Sequence, residues 1–166
     1  MEIRLLEPED AEVYRTLRLE ALLNSPEAFV ISYEEELSNS VDIFKVRFQA
    51  DNAFTFGAFE GDNLIGVVTL TRETKKKMDH RTTVFALYVT PYKRSRGIGK
   101  QLMIHAVDFA KTLEGVEQVG ISVVTRNDTA KSLYYALGYV PYGTRKRAVK
   151  LGDNYFDEEH MVMYLK

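Results

Sequence analysis

Two glycines and a group of basic residues lie together in the stretch Lys93–Lys100, which reads KRSRGIGK. Glycine lets a backbone approach a ligand closely, and the first amides of a helix have no partner inside that helix. If a helix begins here, its free N–H groups favour an anion. Four cations within eight residues, Lys93, Arg94, Arg96 and Lys100, fit a pyrophosphate and a ribose phosphate better than a single carboxylate. The stretch therefore predicts a phosphate-binding loop.

Two well-known phosphate-binding loops differ from this stretch in their spacing. A P-loop requires Ser or Thr after Gly-Lys, but Gly99-Lys100 is followed by Gln101. A dinucleotide fingerprint requires a third small residue, and Leu102 stands at that position. The spacing alone is also compatible with an alternative, an ordinary strand-to-helix turn with solvated cations.

A second group of residues follows about 30 residues after Gly97. It consists of Asn127, Ala130, Leu133, Tyr134, Gly138 and Tyr139. Asn127 is a helix-capping type, and Ala130 and Leu133 fall at core-facing positions of the following helix. Alone, Tyr134 is an ordinary half-buried tyrosine.

Together the two groups resemble the signatures of the GNAT N-acetyltransferase superfamily. The pattern Arg/Gln-x-x-Gly-x-Gly/Ala is matched by Arg94–Gly99, and Val89-Thr90-Pro91 matches the Val-x-Pro end of the preceding strand. The pattern Asn-x-x-Ala-x-x-Leu-Tyr-x-x-x-Gly-aromatic is matched by Asn127–Tyr139. The resemblance implies an enzyme that uses acetyl-coenzyme A (acetyl-CoA) as cosubstrate.

The resemblance also implies a role for each matching residue. The loop amides would bind the pyrophosphate of coenzyme A, and the strand end would pair through its backbone with pantetheine. A main-chain N–H near Val89 would donate to the thioester oxygen. Asn127 would contact the pantetheine arm or a bound water, and Tyr134 would protonate the departing thiolate as general acid. The implied cofactor-binding residues are Leu87, Tyr88, Val89, Arg94, Ser95, Arg96, Gly97, Ile98, Gly99, Lys100 and Asn127, with Tyr134 catalytic and no metal ligand.

The implied reaction is direct attack of a neutral amine on the thioester in a ternary complex, so the arriving ammonium must lose a proton. Many family members relay that proton to a carboxylate or water on the strand before the loop, but Thr83–Val89 contains no acid. The remaining candidates are interpreted as surface or structural residues: Asp79, His80, Glu34–Glu36, His105 and His160. No base is assigned, and deprotonation through water is an equal alternative.

The predicted elements alternate strands and helices. Alternating or continuous apolar patterns predict strands at Glu2–Leu6, Phe54–Phe59, Leu64–Thr71, Thr83–Val89, Gln118–Val124, Tyr142–Leu151 and Tyr155–Leu165. Helical spacing predicts helices at Ala11–Leu23, in the second half of Tyr33–Ala50, at Gly97–Leu113 and at Thr129–Leu137. We expect one acetyltransferase domain over residues 1–166, with a GNAT-like, three-layer α/β (mixed α+β) fold. Its mixed, mostly antiparallel sheet of about six to seven strands would be flanked by about four helices.

The composition restricts the partners of the protein. The 166 residues carry a formal net charge of −2, with a pI near 6.0, which gives no general attraction to nucleic acid. There is no cysteine, so disulfides and thiolate chemistry are excluded. No signal-peptide pattern begins the chain, and no run approaches the roughly 18 apolar residues of a membrane span. We expect a cytoplasmic protein that binds neither nucleic acid nor membrane.

The expected acceptor is a primary amine of a small molecule or peptide. The resemblance places Leu19–Glu36 at the acceptor wall, and its acids Glu20, Glu27 and Glu34–Glu36 would favour a cationic acceptor such as a polyamine, an amino sugar, a lysine or an N-terminal amine. A noncatalytic acyl-CoA sensor is the alternative, against which Tyr134 argues. The C-terminal hairpin leaves a homodimer open.

Overall fold

Seven strands form one mixed sheet, in the order β1-β2-β3-β4-β5-β7-β6, in a computed structural model that describes residues 1–166. The strands are β1 (Glu2–Leu5), β2 (Ala53–Glu60), β3 (Asn63–Arg72), β4 (Arg81–Val89), β5 (Gln118–Val124), β6 (Val140–Leu151) and β7 (Asn154–Tyr164). The helices are α1 (Ala11–Asn24), α2 (Tyr33–Ser38), α3 (Asp42–Arg47), α4 (Ile98–Thr112) and α5 (Asp128–Leu137). None of them combines the length and apolar character that a membrane span requires. Only β4 and β5 pair in parallel, which confirms the predicted mixed, mostly antiparallel sheet.

The segment 33–50 forms two short helices instead of one in its second half. Ser32 caps α2: its hydroxyl accepts a hydrogen bond from the Glu35 amide, and the Glu35 carboxylate accepts one from the Ser32 amide. The extended backbone of Asn39 ends α2, and α3 then carries Phe44 into the core. The chain therefore has five helices where about four were expected.

Helices cover both faces of the sheet and give the predicted three layers. On one face, Leu102 of α4 is fully buried beside Val119 and Met161 of β5 and β7. On the other face, α1 and α3 pack over β2, β3 and β4, and the rings of Tyr14 and Phe44 meet edge to face at 5.0 Å. Burial of these apolar side chains stabilises both contacts.

β4 and β5 pair over only part of their length. The parallel ladder joins Arg81–Val84 to Gln118–Ile121, and no β4–β5 pair follows. β4 continues to Val89 and keeps β3 on its other edge. Ala86 has a φ of +55°, and the register with β3 shifts here, so a bulge reverses the alternation of side chains. The last residues of β4 therefore have a free backbone edge on the side of β5.

Candidate functional site

The predicted loop leads from this free edge into α4. Gly97 is the N-cap of α4 with a φ of +76°, a conformation that glycine adopts without strain, and Ser95 has a φ of +61°. The first backbone bond of the helix runs from the Gln101 amide to the Gly97 carbonyl, at 3.0 Å. The six amides of residues 95–100 have no backbone partner. These N–H groups are available to an anion at the positive end of the helix dipole.

The four cations of the loop are not equivalent. The Arg94 Nε donates to the Val89 carbonyl at 2.9 Å, and the guanidinium lies 5.4 Å from the centre of the Tyr88 ring. Lys93 forms an ion pair with Glu60, and this lysine lowers the pKa of the Glu60 carboxyl. The charge of Lys93 is therefore already paired within the chain. Both Arg96 and Lys100 are exposed and form no ion pair within the chain, so they are the cations free to meet a phosphate.

The end of β4 leads into the loop, and its position is set by the bulge and by the neighbouring strand β3. The bulge directs Leu87 and Val89 to the α4 side of the sheet and Tyr88 to the α1 side. Gly66 of β3 lies so close that an added Cβ would stand 3.1 Å from the Tyr88 carbonyl oxygen. A side chain at Gly66 would therefore crowd both the Tyr88 carbonyl and the Leu102 side chain, which lies equally close. The edge that would meet pantetheine depends on this close approach.

The second motif packs directly against the first. A Cβ placed on Gly99 would lie 3.9 Å from the Leu133 side chain of α5 and 3.9 Å from Val89. The start of α4, the end of β4 and helix α5 therefore meet at one point. Asn127 caps α5, since its Oδ1 accepts a hydrogen bond from the Ala130 amide at 3.1 Å. The side-chain Oδ1 of Asn127 is therefore engaged, while its side-chain Nδ2 forms no hydrogen bond within the chain.

Tyr134 lies on the buried side of α5 and is 5% exposed. Its ring meets that of Tyr139 edge to face, with centroids 6.0 Å apart. Its hydroxyl forms no hydrogen bond within the chain, and burial raises the pKa of Tyr134 to about 12. The sequence-based argument assumed the ordinary phenol value. In the structure the phenol is a weaker acid than that value implies.

Helix α1 contributes Glu20, which the sequence placed among the acids of the expected acceptor wall without connecting it to β4. The Glu20 carboxylate accepts hydrogen bonds from the Tyr88 hydroxyl at 2.9 Å and from Thr90 Oγ1 at 2.7 Å. Asn24 donates to the same Tyr88 hydroxyl at 2.9 Å. Burial is the main reason that the pKa of Tyr88 is raised. One sign of this contact is present in the sequence, the hydroxyl residue Thr90 inside the Val-x-Pro pattern. Its acidic partner Glu20 lies 70 residues earlier.

The interpretation of Glu34–Glu36 as solvated charges is wrong for one member. Glu36 is 2% exposed and forms an ion pair with Arg18 of α1, while Asn39 donates to its other oxygen at 2.9 Å. Arg15 adds a bond to the Leu37 carbonyl at 2.9 Å. These contacts join α1 to α2, because a buried carboxylate needs a cation and hydrogen bonds around it.

A comparison with protein families now decides the assignment. Residues 12–139, more than half of the chain, match the model described as "Acetyltransferase (GNAT) family". The chain belongs to the GNAT family. The resemblance stated from the motifs is thereby confirmed.

Individual relatives of this GNAT chain are distant. It is 27% identical to N-alpha-acetyltransferase 30 of Homo sapiens over 139 residues, which are 82% of this chain and 38% of that protein. It is 26% identical to a spermidine N(1)-acetyltransferase of Vibrio cholerae over 99 residues, 60% of this chain and 56% of that protein. The chain spans 28 to 38% of the length of three curated relatives that it matches.

Solved structures confirm the GNAT fold. Arabidopsis thaliana NAA60, in complex with acetyl-CoA, superposes on this chain with a TM-score of 0.75 at 18% identity. The superposition covers 99% of this chain and 98% of that one. At this identity the likeness establishes the fold alone.

Proposed function

We propose that residues 1–166 form one enzymatic unit that transfers an acetyl group from acetyl-CoA to a primary amine of a small molecule or peptide. The amine would attack directly, with both substrates bound in a ternary complex. The observation that carries this proposal is the convergence of three features at Gly99: the unpaired amides of residues 95–100, the free edge of β4 and helix α5 with Tyr134. Family membership supplies the reaction class.

The residues present fit coenzyme A. A pyrophosphate needs several donors in a small space, and residues 95–100 offer six amides with Arg96 and Lys100 beside them. An extended pantetheine arm needs a strand edge with free N–H and C=O groups, and Leu87–Val89 offers one. We therefore propose cofactor binding by Leu87, Tyr88, Val89, Arg94, Ser95, Arg96, Gly97, Ile98, Gly99, Lys100 and Asn127.

Acetyl-CoA would supply the thioester that the amine attacks. Tyr134 would hold a proton at its hydroxyl and give it to the sulfur that leaves. A phenol with a raised pKa is a weaker acid than a thiol in water. The reference pKa of a thiol is about 8.5. Burial, however, makes a thiolate more basic for the same reason that it raises the pKa of Tyr134, so the transfer becomes feasible inside the site.

The acids of the acceptor wall support a cationic acceptor less than the sequence suggested. Glu20 accepts two hydroxyl bonds, Glu35 caps α2, and Glu36 is paired with Arg18. Only two of the five acids, Glu27 and Glu34, have no side-chain partner within the chain. The acceptor class therefore has to come from an assay instead of from the charge of this segment.

Thiol release with an amine panel tests the proposed function. The panel contains spermidine, glucosamine, a peptide with a free N-terminus and a peptide with only a lysine amine. Release of coenzyme A above the rate without amine, for at least one acceptor, supports an N-acetyltransferase. Binding of acetyl-CoA with no release for any acceptor would favour the noncatalytic sensor instead.

A further inference from the structure

A cavity of about 640 Å³ lies on the sheet face opposite α4, beside the part covered by α1 and α3. It spans four adjacent strands, and its lining includes Thr83 of β4, Gly120 and Ser122 of β5, Tyr142 of β6 and His160 of β7. These residues alternate with Val84, Val119 and Met161, which pack under α4. The cavity is therefore on the face from which an acceptor can approach without meeting α4.

Ser122 and His160 form a pair inside this cavity. Ser122 Oγ lies 3.0 Å from His160 Nδ1, and the two residues are direct cross-strand partners. The β4–β5 ladder ends with Val84 and Ile121, so Ser122 is the first residue of β5 beyond the last pair. Ser122 therefore lies level with the start of the free edge of β4, and the imidazole lies beside it on β7, with β5 between β7 and β4.

The other ionisable groups around His160 have different chemistry or lie farther away. Tyr142 has its ring centre 6.1 Å from the imidazole, and Tyr164 lines the cavity farther along β7. Glu158 lies two residues earlier on the same face of β7 and pairs across strands with Arg145 of β6. Arg81, the first residue of β4, and His80 just before it lie at the end of the cavity near Gln118. His80 and His160 are the two imidazoles in the lining of the cavity.

His80 lies at the other end of the cavity. Arg81 pairs with Gln118, four residues before Ser122, and four residues of strand span roughly 13 Å. His80 precedes this pair and is remote from the free edge of β4. His80 is also a histidine and lines the same cavity as His160, but it lies far from the free edge of β4. It is therefore a suitable control.

We propose that His160, held by Ser122, takes the proton from the incoming ammonium; this inference rests on the proposed function. With its own proton on Nδ1, the imidazole donates to Ser122 Oγ and keeps a free lone pair on Nε2. The N–H bond of the ammonium breaks, the proton moves to Nε2 directly or through one water, and the amine recovers the electron pair that attacks the thioester. The imidazolium then releases the proton to solvent. The sequence-based interpretation of His160 as structural or exposed is replaced by this role.

The test compares His160→Gln with His80→Gln, across pH, using the panel acceptor that the wild type turns over fastest. A general base contributes about 10²-fold or more. We expect His160→Gln to lower kcat/KM by about 10²-fold at pH 7 and by much less near the pKa of the acceptor amine, where free amine already exists. His80→Gln should keep the wild-type profile. The kcat/KM of Ser122→Ala at pH 7 should fall between those of the two histidine variants. Ser122→Thr keeps the hydroxyl and should have the wild-type pH profile.

The outcomes separate the two proposals. Each variant should bind acetyl-CoA with the wild-type affinity in calorimetry and unfold at the wild-type temperature, because the pair lies on the acceptor face. A wild type that releases no thiol overturns the proposed function and this inference together. Wild-type turnover with the same pH profile in His160→Gln, or an equal loss in His80→Gln, overturns the inference alone.

Discussion

The Glu20 carboxylate accepts a hydrogen bond of 2.9 Å from the Tyr88 hydroxyl, which joins helix α1 to the end of β4. The same oxygen accepts a bond from Thr90, so one side chain binds two residues at the end of the bulged strand. Tyr88 is 5% exposed and Thr90 is 1% exposed. Helix α1, which would face the acceptor, and the edge that would face the cofactor are therefore fixed to each other.

Replacing Glu20 by Gln should lower the free energy of unfolding by about 1–3 kcal/mol, because the hydrogen bonds from Tyr88 and Thr90 lose their charged acceptor. Urea unfolding checks this. Glu12→Gln, an exposed change on the same helix without a side-chain bond, should change the midpoint little. Equal midpoints for both variants would show that Glu20 does not hold the two elements together.

Breaking the buried pair between Arg18 and Glu36 should lower the free energy of unfolding more than Glu20→Gln does. Glu36→Gln leaves the Arg18 guanidinium without its counter-charge at a site where the carboxylate side chain is 3% exposed, so we expect a loss of about 3–5 kcal/mol. Glu34→Gln, two residues earlier and exposed, is the matched control. Thermal unfolding measures both. A Glu36 variant as stable as the Glu34 variant would return Glu36 to an ordinary surface charge.

Tyr134→Phe should reduce kcat by about 10²-fold while leaving the Kd for acetyl-CoA unchanged, because it removes only the proton donor. The neighbouring Tyr135 is the control: its hydroxyl donates to Glu159 at 2.9 Å, and it is 45% exposed. Tyr135→Phe should keep kcat within about threefold of the wild type. Full activity in Tyr134→Phe would rule out Tyr134 as the general acid.

The stability of the protein at alkaline pH should depend on Tyr134. Its pKa is raised to about 12 in the folded chain, against about 10 when unfolded, so the folded state holds the proton more tightly. This stabilisation is complete below pH 10 and is lost as the pH rises from 10 towards 12. The wild type should lose about 2–3 kcal/mol more than Tyr134→Phe over that interval. Chemical denaturation at each pH gives the comparison, and parallel curves would contradict it.

The sequence predicted the parts of the site that depend on local backbone. Gly97 and the amides that follow it could be found because a helix start with glycine has its own pattern, and the spacing of Asn127 and Tyr134 carried the second motif. Contacts between distant segments could not be found. Glu20 and Tyr88 are 68 residues apart, and Lys93 and Glu60 are 33 apart. Such pairs follow from which helix covers which strand, and no local pattern encodes that.

The bulge at Ala86 was missed for a related reason. Strict alternation along Thr83–Val89 would point Tyr88 to the α4 side, whereas the positive φ of Ala86 moves Tyr88 to the α1 side. Alanine gives no sequence signal for that conformation. The family resemblance predicted where the free edge lies. Only the structure shows to which face of the sheet each side chain of that edge points.

Calorimetric titration of acetyl-CoA into Gly97→Glu and Gly152→Glu tests the central claim most directly. Both glycines have positive φ, +76° and +60°, and no atom within 4 Å of an added Cβ, so both variants carry the same backbone strain. Gly97→Glu places a negative charge among the amides of residues 95–100, whereas Gly152 lies in the turn between β6 and β7. The account predicts micromolar binding by the wild type and by Gly152→Glu, and none by Gly97→Glu. Equal binding by both variants, or no binding by the wild type, would contradict it.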